Sequence, residues 1–166
     1  VSERTEVRLL IDRDALYVGA WLYDREPNAV VVGETRRDAG VSDADAVSII
    51  IDTFLDRQNG FVFATTPAGI EYDGQVMNEG QTSGSLGRSG AGGSQRGQVS
   101  GFNANWDADW TVHAGITDRG WEAEFAIPLK TLRYKAGQDQ TWGVNAMRII
   151  RRRNEQAFLS PVPRGY

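Results

Sequence analysis

The chain has no cysteine among its 166 residues. That excludes disulfides, zinc–thiolate sites, iron–sulfur clusters and thiol catalysis. It has a single histidine, His113, and no Gly-x-Ser-x-Gly elbow, HExxH pair or phosphate-binding loop, so the common hydrolase and nucleotide-binding motifs are missing. No apolar run approaches the roughly 20 residues of a membrane-spanning helix, and no signal peptide is visible. There is no surplus of positive charge either. Eighteen basic against 22 acidic residues leave −4, which argues against nucleic acid as a main partner, since phosphate binding needs a basic footprint. The one basic run, Arg151–Arg153, reads as a solvated strand edge. Finally, no stretch sustains the 3.6-residue period of an amphipathic helix.

What is present is alternation. Val47, Ile49 and Ile51 alternate with Ser48, Ile50 and Asp52, so this strand is expected to be buried on one side and half covered on the other. Phe61, Phe63 and Thr65 read as its return strand, and Asn59 and Gly60 are expected to take the positive φ of the turn. Together they predict the central hairpin of an antiparallel sheet. Glu6–Asp12 and Leu16–Tyr23 predict a second hairpin, with Leu16, Val18, Ala20 and Leu22 on its core face. Trp110–Thr117 and Trp121–Ile127 predict a third across Asp118–Gly120, and Thr141–Arg153 a last strand. Pro128–Leu132 has room for one helical turn, with proline favoured at its start. The Gly/Ser-rich segment 81–101 has almost nothing to bury, which predicts a long mobile loop. Residues 1–166 therefore read as a single antiparallel β-sandwich domain, immunoglobulin- or jelly-roll-like, with one short helical turn. The abrupt end after Pro161-Val-Pro163 reads as a fragment of something larger.

The motifs resemble one family throughout. Ala15–Ala20 with Leu22–Asp24, Thr35–Asp38, Ile51–Phe54 with Asp56, Gly60, Phe63, Pro67, Gly69 and Asp73 belong to that pattern. So do Trp106-Asp107 with Trp110, Gly120–Pro128, Gln140–Asn145 and Arg151–Glu155 with Ser160-Pro161. The set is similar to the family 9 carbohydrate-binding-module-like domain, in the version that precedes a predicted outer-membrane β-barrel in Gram-negative bacteria. The resemblance implies a sandwich related to sugar-binding modules, often with structural calcium. It also implies an exported domain of the periplasm or outer membrane, with a C-terminal barrel in the same chain and no membrane insertion of its own.

Flat sugar faces stack on aromatic rings while oriented polar groups select hydroxyls. Trp106, flanked by Asn103, Asn105, Asp107 and Asp109, offers that combination, with Arg36 and Arg37 as further hydroxyl contacts. The same ring would alternatively plug the end of the sandwich. Tyr17, Trp21 and Tyr23 share one strand face and form a platform or an interface if nothing covers them. Trp110, Trp121 and Trp142 fall on inward faces. For calcium, which takes six to eight oxygens, Asp38, Asp43 and Asp45 are one candidate set and Asp52, Asp56 and Asn59 another; Asp and Asn at these places equally serve turns. Haem held by His113 with Met77 or Met147 is a remote alternative and is not expected. The 22 acids read as turn formers rather than a catalytic pair. Two functions follow: a non-catalytic saccharide-binding module, or a periplasmic interaction or plug domain that binds no sugar.

Overall fold

The computed structural model describes residues 2–77, 101–135, 137 and 139–161. The expected Gly/Ser-rich loop therefore lies, apart from Gly101, outside the described residues. Strands β1 (Thr5–Ile11), β2 (Ala15–Tyr23), β3 (Ala46–Asp52), β4 (Gly60–Thr65), β5 (Tyr72–Val76), β6 (Phe102–Asn103), β7 (Thr111–Thr117), β8 (Gly120–Pro128), β9 (Gly143–Ile150) and β10 (Glu155–Phe158) run in chain order. All pairings are antiparallel. They form a four-stranded sheet, β1-β2-β8-β7, and a six-stranded sheet, β10-β9-β3-β4-β5-β6. The chain is an antiparallel β-sandwich.

The hairpin β3–β4 occupies the middle of the larger sheet, as its alternation predicts. Its turn differs from the expectation. Positive φ falls on Leu55 (53°) and Arg57 (61°), while Gly60 already belongs to β4. The cause is a longer loop stitched by two carboxylates. Asp52 accepts the N–H groups of Phe54, Asp56 and Arg57, and Asp56 accepts those of Gln58 and Asn59, which are Asx turns rather than a tight two-residue turn. The last strand also ends early. Arg151–Arg153 make a 3₁₀ turn, Asn154 takes φ 48°, and β10 returns along β9. Among the described residues there are four such turns, the others being Pro27–Ala29, Val41–Asp43 and Leu129–Thr131, where one was expected.

Alternation fixes the core. Leu16, Val18, Ala20 and Leu22 of β2 meet Val47, Ile49 and Ile51 of β3 and Phe61 and Phe63 of β4, all buried. An aromatic chain bridges the sheets. Phe63 lies 5.2 Å from Trp110 in edge contact, and Trp110 stacks on Phe125 at 5.7 Å, a geometry that adds about 0.5–1.5 kcal/mol beyond burial. The outer face of the larger sheet carries a second cluster, in which Val41 and Ala39 cover Ala46, Ala64, Met147 and Ile149. The irregular segment before β3 thus covers the start of its outer face at Ala46.

Charge closes one end of the sandwich. Arg148 of β9 is 2% exposed, yet its guanidinium donates to Arg4 O (2.9 Å), Thr5 Oγ1 (3.0 Å) and Tyr23 O (2.8 Å), joining the larger sheet to β1 and β2. Beside it Arg152 grips Asp24 through two bonds (2.5 and 2.7 Å), and Arg153 pairs with Glu3 (2.7 Å). These arginines are not a solvated edge. They are half-buried because the turn after β9 folds Arg152 and Arg153 back onto the buried carboxylates of Asp24 and Glu3, while Arg151 donates to Asn154 Oδ1. Burial pushes the Asp24 carboxyl up, but the Arg152 bonds, the Glu26 N–H and the charge of Arg148 outweigh it and hold it below the ordinary carboxylate range. A depressed carboxylate stabilises the fold above its unfolded pKa and loses that contribution as pH falls through its folded value. Arg152→Met is accordingly expected to cost about 2–3 kcal/mol at neutral pH. In urea melts the difference from wild type should narrow toward pH 3; a difference independent of pH would contradict the assignment.

Candidate functional site

The larger sheet is wider by two strands, and at its β3–β4 loop end a cleft of about 190 Å³ opens. Three distant parts of the chain line it: Thr53, Phe54 and Asn59 from the loop with Gly60 and Phe61 of β4, Gln75–Met77 from β5 onward, and Arg133. Phe54 is 54% exposed at the rim, whereas Phe61 is buried in the wall. The Asn59 amide is oriented by donating to Asp56 Oδ2 (2.7 Å). Thr53 Oγ1 donates to Arg133 O, tying the Arg133 segment to the loop. Register carries the row onward across the sheet, since Phe61 pairs with Gln75 and Gln75 with Asn103. The arrangement offers an aromatic face and an amide from the β3–β4 loop, a second amide from β5 and a guanidinium residue, Arg133, from the segment that Thr53 ties to that loop. Its volume is below the roughly 300 Å³ at which pockets enclose a drug-sized ligand, so it suits one small polar ring.

The sequence-derived residues gather partly beside this cleft. Trp106 is half-buried, 5.0 Å from Phe61 and 5.9 Å from Phe63 in ring-to-ring contact, so it braces the cleft wall from behind. Asn103 sits in β6 next to Gln75, and Asn105 donates its N–H to Asn103 Oδ1 (3.1 Å). Arg37 reaches the same loop, donating to Asp107 Oδ1 (2.6 Å) and Ala108 O (3.2 Å). Arg36 does not join them; it is exposed and pairs with Glu34 (2.5 Å). Phe54, Gln75 and Arg133 escaped the sequence reading. The available signal was an aromatic at a turn beside Asx caps, which Phe54 supplies; for Gln75 and Arg133 there was none.

Arg37 is enclosed by carboxylates. It contacts Glu71, Asp73 (3.5 Å), Asp107 and Asp38 (3.7 Å). Partial burial pulls the guanidinium down, and Glu71, Asp107, Asp73 and Asp38 more than reverse it. Burial pushes the Asp73 carboxyl up, against the bonds it accepts from Trp110 Nε1 (3.2 Å) and Ala108 N–H (2.8 Å). The donors of Arg37 are therefore already engaged.

The proposed metal set is not assembled. Asp45 is fully buried and accepts the Arg151 N–H (2.7 Å), Asp43 is exposed, and Asp38 lies against Arg37. They part because the turn at Val41–Asp43 sends Asp45 into the core just before β3. Asp52, Asp56 and Asn59 serve the loop's turns instead. Among the described residues, no three Asp, Glu or His side chains are grouped to hold a metal ion, and where four carboxylates do converge the cation at their centre is Arg37. Of the residues named for haem, His113 is on the outer face of the smaller sheet, Met147 on the outer face of the larger one, and Met77 lines the cleft.

Tyr17, Trp21 and Tyr23 face away from the core on the smaller sheet. None is buried, and Tyr17 is 37% exposed. Arg8 lies over Trp21 at 5.1 Å and Arg4 over Tyr23 at 5.0 Å, each cation–π contact contributing about 0.5–1 kcal/mol at an exposed site.

No sequence family and no curated protein matches the chain. Among solved structures, the fold superposes on a protein from Bacteroides uniformis described as a "putative carbohydrate-binding protein". The TM-score is 0.62 at 11% identity, over 95% of this chain and 68% of that one. At this identity the likeness defines the sandwich fold.

Proposed function

We propose that the chain is a non-catalytic saccharide-binding module whose ligand enters the cleft at the β3–β4 loop. The observation that carries this reading is the pairing of a solvent-facing aromatic ring, Phe54, with the amides of Asn59 and Gln75 in one small cleft. Rings supply apolar contact to a sugar face, and positioned amides discriminate its hydroxyls. The description of the Bacteroides protein that shares the fold supports it. Trp106 then acts chiefly by bracing Phe61, with Asn103 and Asn105 extending the polar rim. Export, a C-terminal outer-membrane barrel and the family 9 kinship are parts of this reading that rest on the sequence resemblance.

The test is a thermal-shift panel of mono- and oligosaccharides, followed by calorimetry on any ligand found, because binding to the folded state must raise Tm. Phe54→Ala is expected to weaken that ligand at least tenfold, about 1.4 kcal/mol, with little change in Tm of the free protein. An unchanged affinity would move the site out of the cleft, and silence across the whole panel would remove the reading. One observation favours a second reading, that of an interaction or plug domain: the Tyr17, Trp21 and Tyr23 rings lie on the outer face of a sheet, Tyr17 exposed and the other two half-buried beneath Arg8 and Arg4. Trp21→Ala should leave saccharide affinity intact, which separates the two surfaces.

A further inference from the structure

β1 is an edge strand of the smaller sheet, and among the described residues no strand pairs with its outer side. Natural edges are blunted by charged side chains, Pro, bulges or brevity. β1 carries charge at Glu6 and Arg8, and its end, Leu9–Ile11, has none of these devices. It pairs with β2 over seven consecutive residues without a bulge, and its sequence, TEVRLLI, contains neither Lys, Pro nor Gly. It also leaves Leu9, Leu10 and Ile11 exposed by 48%, 67% and 55%. Three adjacent apolar side chains on an open edge are unusual for a protein that stays monomeric.

The backbone parity says how this edge can pair. Tyr23 N–H donates to Arg4 O and Asp12 N–H to Ala15 O, both at 3.1 Å. Even-numbered residues of β1 therefore spend their N–H and C=O groups on β2, so those of Val7, Leu9 and Ile11 point to the free edge. An antiparallel pair with a second copy, related by a twofold axis at Leu10, sets Leu9 against Ile11 of the other copy and satisfies both residues' groups. It sets Leu10 against Leu10 and Arg8 against Asp12. Arg8, whose guanidinium also holds Glu6, and Asp12, whose Oδ1 accepts the Asp14 and Ala15 N–H groups, stand two residues to either side of the apolar centre, so opposite charges meet twice across the axis, the self-complementarity that an isologous interface requires. This register overlaps Leu9–Ile11 of each β1 and brings in Asp12 from the turn, whereas one centred on Val7 would overlap Thr5–Leu9 and pair Glu6 with Arg8 but leave Leu10 and Ile11, the two most exposed apolar residues of the strand, outside.

We propose that β1 is a homodimerisation edge, two copies joining their four-stranded sheets through antiparallel β1 strands centred on Leu10. This surface is separate from the cleft, and the proposal stands whether or not the chain binds saccharide.

The experiment uses the 166-residue chain itself, in sedimentation and light scattering over a range of protein concentrations. The expected mass rises toward twice the monomer. Leu10→Lys places two ammonium groups face to face and should raise the dimer Kd at least tenfold, with a melting curve like that of wild type at concentrations where both are monomeric, because Leu10 is exposed. Since the chain has no cysteine, a single introduced thiol reports the register. Directly opposed side chains lie roughly 4.5–5.5 Å apart at Cβ, so Leu10→Cys should form a disulfide-linked dimer on mild oxidation, whereas Val7→Cys should not. A wild-type monomer at every concentration would overturn the proposal. So would a Leu10→Lys protein that still dimerises, or a cross-link that forms at Val7 and not at Leu10.

Discussion

Gly120→Ala is expected to prevent folding, or to cost more than about 4 kcal/mol, the range reserved for severe steric or backbone conflicts. Gly120 opens β8 with φ 139°, a conformation that side chains avoid, and a Cβ there would stand 2.1 Å from Leu22 O and 2.9 Å from Asp24 N. Those atoms are backbone of the neighbouring strand, so relief requires β2 and β8 to separate at the middle of the smaller sheet. The control is Gly115→Ala. Nothing lies within 4 Å of the Cβ it would add, so its stability should stay near wild type or rise slightly as chain entropy falls. Urea denaturation of the two proteins reads the contrast directly; equal stabilities would refute the steric account.

Arg148→Met should be the most damaging single change at the charged end of the sandwich. Methionine fills much of the volume but leaves three acceptors, Arg4 O, Thr5 Oγ1 and Tyr23 O, without their donor, and leaves Asp45 buried beside fewer cations. Removing one partner from a buried ionic network costs about 3–5 kcal/mol, which for a chain of this size lowers Tm by roughly 6–20 °C. The loss should depend on pH. Burial already pushes the Asp45 carboxyl up, against the Arg151 N–H and the charge of Arg148. A carboxylate with a raised folded pKa opposes folding increasingly as pH rises through the window between its unfolded and folded values. Losing Arg148 raises it further, so the deficit of Arg148→Met should be larger at neutral pH than in mild acid. A deficit that grows on acidification would show that Asp45 is not the group left uncompensated.

Where a single strand decided its own fate, the structure could be read from the chain. β2, β3, β4 and β8 each carry a two-residue alternation that survives into the observed faces, down to the inward Leu16, Val18, Ala20 and Leu22, while on the edge strand β7 it holds at Val112 and fails at Ile116, expected inward and 51% exposed. The failures occurred where distant residues decide. Nothing local in Arg151–Arg153 reveals that Asp24 and Glu3 receive Arg152 and Arg153, so the alternation carries the expected strand straight through the turn before β10. The cleft is similar, because Phe54, Gln75 and Arg133 meet only through the closure of the sandwich. Trp106 was legible as a ring among polar neighbours, but its neighbours Phe61 and Phe63, some forty positions earlier, make it more a brace than a platform. Spacing also grouped Asp43 with Asp45, two residues that the entry into β3 drives to opposite environments.

The pairing of β2 with β8 has a consequence for synthesis. Roughly 100 residues separate Tyr23 from its partner Gly120, so at roughly 5–20 residues per second a ribosome needs roughly 5–20 s to deliver the second strand after the first. Through that interval the hairpin β1–β2 has emerged with its apolar face and one edge unmatched, and a hairpin alone is only marginally stable in water. Such long-range closure slows folding. The nascent β1–β2 hairpin is thus the part of this fold with most to gain from a holding chaperone, and slowing translation beyond residue 23 would be expected to lower the yield of folded chain.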